Sequence, residues 1–264
     1  MAEPGRTRED EFYVGYLPLA RGQRRWLLMV LPLAVGALLM GVVVIAAAQR
    51  IPGRGVWDTG KPVVREGVLR ASPYPMVVMD DPEALPRFLV EVGKRGAQRR
   101  AGVLDGRRVR VTGWPLRRDG REILELVPDG TALVAVSDGP GATGWTLTGE
   151  RLGAARLSGE IVDYKCYLGA MKPGDGKAHK ACAMLCIGNG IPPMLVTTGA
   201  DGSPRYLLLV DGARGAVGAR VVELAGEPVE VWGEVERVGR LEVMVVEGVE
   251  RRSGEATERR RGAE

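Results

Sequence analysis

Histidine occurs once in this chain of 264 residues, cysteine three times and phenylalanine twice. With one histidine there is no HExxH metalloprotease helix, and no Walker loop or nucleophile elbow is present either. No CxxCH occurs, which argues against covalent c-type haem. An odd number of cysteines leaves one thiol over from any set of disulfides. Aromatics are 5% of the chain, too few for the stacking platform that binds single-stranded nucleic acid. Charge is nearly balanced, 37 basic against 33 acidic side chains for a net +4, which by itself does not indicate a nucleic-acid partner. Known enzyme signatures are therefore missing, and the chain reads as a binding or accessory protein.

What little cysteine and histidine there is falls in one place. Cys166, His179, Cys182 and Cys186 lie within CYLGAMKPGDGKAHKACAMLC. These are the side chains that ligate soft and borderline metals or carry thiol chemistry. Asp175 reads as an N-cap and Lys177 to Ile187 as a helix ended by Gly188, Asn189 and Gly190. His179, Cys182 and Cys186 then share one helix face, while Cys166 ends the alternating, strand-like run SGEIVDYKCY. His179 and Cys186 would stand roughly 10 Å apart along a straight helix. A four-ligand Cys3His site therefore needs His179 at, or just before, the helix start; otherwise Cys166 with two helix ligands is the natural set. Lys177 and Lys180 would favour thiolates by their charge. A disulfide from Cys166 to Cys182 or Cys186, with one spare thiol, is the alternative.

HKACAMLCIGNGIPP, with Cys166 upstream, resembles a segment of bacterial secreted and membrane-anchored proteins to which no activity is attached. The matching positions are Cys166, His179, Cys182, Ala183, Cys186, Gly190 and Pro193; the loop LGAMKPGDGKA is longer here than in the short relatives. The resemblance covers about the last hundred residues. It implies a compact β-rich domain outside the cytoplasm.

Along the chain, residues 1–25 are polar and end in Arg21, Arg24 and Arg25. Trp26 to Ala48 carries no charge and is about 34 Å long as a helix, enough to span a bilayer and too long for a signal-peptide core. The arginines sit closer to the span on its N-terminal side, so residues 1–25 read as cytoplasmic and the remainder as extracytoplasmic. A single-pass protein of the cell membrane follows, its bulk periplasmic.

The rest repeats itself. Leu104, Gly106, Val109, Val111 and Gly113 recur 120 residues later as Leu224, Gly226, Val229, Val231 and Gly233. Each copy continues into a Gly-Arg turn and a second apolar run, and each follows an alternating strand, near Gly67 and near Gly159. Short strands with a helix-like stretch before the fourth, near residues 94–103 and 213–224, read as two tandem small Greek-key barrels of the OB type. The fold class is thus mainly β with one transmembrane helix. The first OB-like domain is read over 53–128, a Gly-rich linker or extra strands over 129–157, the second domain over 158–249 and a disordered tail over 250–264. The second copy is longer by 28 residues, which places the Cys/His segment, 166–193, as a helical insert after its first strand.

Arg95, Arg99, Arg100, Arg107, Arg108, Arg110, Arg117, Arg118 and Arg121 crowd the first domain. They read as solvated strand edges or as a face for an anionic partner. The functional expectation is a membrane-anchored metal protein with Cys166, His179, Cys182 and Cys186 as ligands. Zinc is the first choice and Cu(I), with Met171, Met184 or Met194 nearby, the second. A membrane or periplasmic protein is the expected partner, in a redox or assembly complex. The architecture is similar to that of the membrane-anchored OB-fold haem chaperone of cytochrome c maturation, without that family's haem-binding motif. A thiol–disulfide redox protein using Cys166, Cys182 and Cys186 is the reading from another class. On either reading the first barrel, which has no cysteine or histidine, is expected to fold without the cluster.

Overall fold

The computed structural model describes residues 21–48, 55–81, 84–140 and 146–252. Most of the expected cytoplasmic tail, the charged C-terminal segment from residue 253, and Trp145, Arg50 and Arg54 lie outside them. The chain divides into two units, residues 1–51 and 52–264. The first holds α1, Arg21–Ala48, a helix with Pro32 inside it. Its apolar part has a mean hydropathy of 2.8 and is long enough to cross a membrane. A signal sequence near the N-terminus has the same character.

The second unit is built from two five-stranded closed barrels. The first barrel comprises β1 (Val63–Arg70), β2 (Met76–Val78), β3 (Arg87–Glu91), β4 (Arg107–Arg118) and β5 (Arg121–Leu126). The second comprises β6 (Glu150–Asp163), β7 (Pro193–Thr198), β8 (Pro204–Val210), β9 (Pro228–Val238) and β10 (Leu241–Arg251). In each, the first strand pairs antiparallel with the second and fourth, the fourth with the fifth, and the third closes on the fifth in parallel. Leu133–Pro140 adds to the first sheet alongside β4, and β6 begins at Glu150, where Arg151 pairs with Glu236. Of the two readings of 129–157, linker or extra strands, its described residues include strand at both ends, because each end finds a ladder to join.

The repeat in the sequence is a repeat in register. Gly67 pairs with Val109, and Gly159 with Val229. A Cβ on Gly67 would lie 2.2 Å from the carbonyl oxygen of Val78, and one on Gly159 2.4 Å from that of Val196. The first strand of each barrel therefore needs glycine where it bends under the second. Gly106 and Gly226, with φ of 75° and 73°, donate their N–H groups to Leu69 and Ile161 at 2.9 Å. The parallel closure carries a duplicated clamp as well. Glu122 receives Arg87 and Arg117 at 3.1 and 2.7 Å, and Glu242 receives Arg205 and Arg237 at 2.6 and 3.3 Å. Most of the crowded arginines are engaged in this way: Arg100 pairs with Glu91, Arg108 with Asp80 and Arg110 with Glu66. The helices before the fourth strands are shorter than expected, Gln98–Ala101 and Ala219–Glu223.

The two barrels do not stand apart. FLV in β3 and LLLV in β8 read as unbroken apolar runs because both faces of these strands are buried. Leu89 fills the first barrel, and Leu207 and Leu209 fill the second. Phe88, Val90, Tyr206, Leu208 and Val210 point the other way, into a third core shared by both barrels. Each such side chain contributes on the order of 1.5–3 kcal/mol by burial. Cys166, Cys186 and the half-buried Cys182 belong to, or pack against, this shared core. The first barrel, expected to fold without the cluster, thus packs in the same core as the cysteines.

Candidate metal centre

The connection between β6 and β7 runs over residues 164–192, where the first barrel needs only 71–75. It holds a single wide helical turn, Cys166–Ala170, and α2, Lys180–Gly188. The Cys/His segment is thus an insert at the expected place. Two local expectations are corrected. The strand stops at Asp163 and Cys166 opens a helical turn, its N–H capped by Asp163 Oδ1 at 2.8 Å. The helix starts at Lys180 rather than Lys177, because Gly176 takes φ 74° and gives its N–H to Glu160, which leaves Asp175 no helix to cap. His179 is therefore the N-cap residue, the position that a four-ligand set requires.

The four residues named from the sequence come together, though not all pairwise. Cys166 Sγ and Cys186 Sγ each lie 3.9 Å from Cys182 Sγ. The ligand atoms of Cys166, His179 and Cys182 lie within 4.8 Å of one another, and so do those of Asp163, Cys166 and Cys186. The group could hold a metal ion. The three thiols are free. Cys166, Cys186, His179 and Asp163 are buried, and Cys182 is the half-exposed member at the surface.

Two residues of the site escaped the sequence reading. Asp163 Oδ2 is 2.8 Å from His179 Nε2. A carboxylate only accepts, so Nε2 carries the hydrogen of this bond. The signal was a carboxylate directly after the buried pair Ile161 and Val162, three residues before Cys166. The other is Lys94, in the β3 hairpin of the first barrel. Its hydrogen bond to Cys182, followed by the charge of the three sulfurs, holds its pKa above the usual lysine value. No pattern near the cysteines announces it. Lys180, expected to serve that purpose, turns instead to Glu227 at 2.9 Å.

The thiols are not equivalent. A hydrogen bond with Cys186, then burial, pushes the Cys166 thiol up, while the same bond lowers Cys186. Burial, followed by the charge of Cys186, raises Cys182, and the bond from Lys94 opposes this. Of the methionines considered for Cu(I), Met194 is in the shared core, Met184 packs against the second barrel's core and Met171 is exposed.

The first barrel holds the insert from the other side. Lys165, itself buried, forms an ion pair with buried Glu125 and donates to the carbonyls of Glu91 and Gly93 at 2.9 and 2.6 Å. Gly96 N–H bonds Asn189 O at 2.9 Å, and Gln98 Nε2 bonds Gly190 O at 2.6 Å. Arg118 stacks 3.8 Å over the Tyr167 ring. No protein-family model, curated protein or solved structure matches the chain.

Proposed function

We propose that this is a membrane-anchored, extracytoplasmic protein that holds one zinc ion through Cys166, Cys182, Cys186 and His179. The observation that carries the reading is the spacing of the thiols. Sulfurs on a tetrahedron with bonds of about 2.3 Å stand about 3.8 Å apart, and two of the sulfur pairs here lie at 3.9 Å. Asp163 adds the outer partner that metal-bound histidines commonly have: it fixes the ring and leaves Nδ1 for the ion. Three thiolates and one imidazole with no open position make a structural site rather than a catalytic one. The ion would join the strand end, the insert and, through Lys94, the first barrel.

The strand order, with the third and fifth strands parallel, supports barrels of the OB type. The anchor reading rests on the length and hydropathy of α1, and its orientation on Arg21, Arg24 and Arg25 at its N-terminal side. An accessory subunit of a membrane redox or assembly complex is the role that such an anchored, catalytically unequipped pair of barrels fits.

The test is elemental analysis of residues 52–264, purified reduced and without chelator, together with mass mapping of the unreduced protein. One zinc per chain and three thiols that alkylate only after chelation are expected. Metal well below one ion per chain would remove the proposal, and a Cys166–Cys182 or Cys166–Cys186 disulfide with one free thiol would replace it by a thiol–disulfide function.

A further inference from the structure

Away from the thiols, a second opening is lined by both barrels. It is a cleft of about 300 Å³ reached by four guanidinium groups, Arg121 from the first barrel and Arg205, Arg237 and Arg240 from the second. Two carboxylates, Asp201 and Glu242, line the cleft with them, and Glu150 reaches Arg237 from outside it at 3.7 Å. Asp201 and Glu242 are already engaged. Asp201 accepts from the N–H and the hydroxyl of Ser203 at 2.9 and 2.6 Å. Glu242 is the clamp residue that Arg205 and Arg237 share.

Two arginines remain in excess. Among the described residues, neither Arg121 nor Arg240 has a carboxylate partner. Arg121 is nevertheless held still. Its guanidinium stacks 3.7 Å over the Tyr206 ring and donates once, to Asp119 O at 3.3 Å. The ring is fixed in turn, because the Tyr206 hydroxyl is bonded to the Asp119 carboxylate. A guanidinium has five N–H donors in a rigid fork, so most of those on Arg121 are placed and uncommitted. Arg240 stands on the two-residue turn between β9 and β10, and Arg121 follows the matching turn between β4 and β5. Equivalent hairpins of the duplicated barrels thus converge on one cleft. The loop between the fourth and fifth strands is also where barrels of the OB type take ligands.

We propose that this cleft binds a doubly charged, tetrahedral oxyanion of the phosphate type, as a free ion or as a lipid headgroup. The two uncompensated guanidinium charges match a dianion. Donors arriving from separate strands suit a tetrahedral group better than a planar carboxylate, which a single arginine fork satisfies. The site is distinct from the metal centre and needs no ion there.

The experiment uses residues 52–264, a compact unit by itself, so that α1 does not obscure binding to lipid. Calorimetric titration with inorganic phosphate, with chloride as control, is run beside flotation on phosphatidylcholine vesicles with and without phosphatidic acid. Arg240→Ala lies on an exposed turn and should leave thermal unfolding unchanged while weakening binding about tenfold; Arg121→Gln should do the same to binding. Phosphate bound over chloride and weakened about tenfold in both variants supports a free ion. Binding only to phosphatidic acid vesicles, weakened likewise in both variants, supports a headgroup. No binding in either arm, or binding that both variants retain in full, overturns the proposal.

Discussion

His179 Nε2 and Asp163 Oδ2 meet at 2.8 Å across 16 residues of chain, with both side chains buried. The bond joins the end of β6 to the start of α2, and the other carboxylate oxygen caps Cys166. One aspartate thus positions two of the four proposed ligands.

Asp163→Asn keeps the shape but cannot accept at both oxygens. Metal affinity should fall 10- to 100-fold, the usual cost of losing an outer partner of a metal-bound histidine, with the far-UV circular dichroism unchanged. Competition with a chromophoric chelator measures it. Equal affinity in the two proteins would mean that Asp163 serves only to cap Cys166.

Cys182→Ser, or chelation of the wild-type protein, should lower stability by a few kcal/mol. Because the cluster packs in the core that both barrels share, protection from hydrogen exchange should fall in both barrels together. Loss confined to residues 164–192 would show that the insert opens on its own.

Lys165→Met leaves Glu125 as a buried charge without its cation, which typically costs about 3–5 kcal/mol. Adding Glu125→Leu should return most of that loss, because an apolar pair needs no compensation. Denaturant unfolding of the single and double variants decides it; a single variant within about 1 kcal/mol of wild type would mean that the pair is solvated.

Burial, opposed by the hydrogen bond from Val217, pushes the Tyr74 hydroxyl from 10.0 up to about 12. The folded state then keeps a proton that the unfolded chain gives up. The stability tied to this group is complete below pH 10 and is lost as the pH rises towards 12. Tyr74 also bonds Leu209 O at 3.3 Å and accepts from Val217 N at 3.0 Å, both in the second barrel. Tyr74→Phe should therefore weaken the barrel contact at pH 7 and flatten the loss between pH 10 and 12. An unaltered alkaline slope in the variant would point to a different group.

The duplication, the closing turns and the place of the insert were legible because each rests on local chemistry. A glycine with positive φ before the fourth strand or a close approach in the first leaves the same mark at Gly106 and Gly226, or at Gly67 and Gly159. Cysteine and histidine are so scarce that their gathering in one segment named the candidate ligands. The helix start was misplaced because Gly176 takes a left-handed φ and gives its N–H to Glu160, on another element.

Sequence by itself determined two similar barrels, an apolar helix long enough to cross a membrane and a compact set of soft ligands. Only the tertiary structure decided that Asp163 orients His179, that Lys94 rather than Lys180 faces Cys182, and that the barrels share a core. Those three relationships join residues distant in the chain, and no local propensity encodes them. They follow from which strand faces are left apolar once each barrel has closed, and from the need of each buried charge, Lys165 and Asp163 among them, to find its partner wherever the fold brings one.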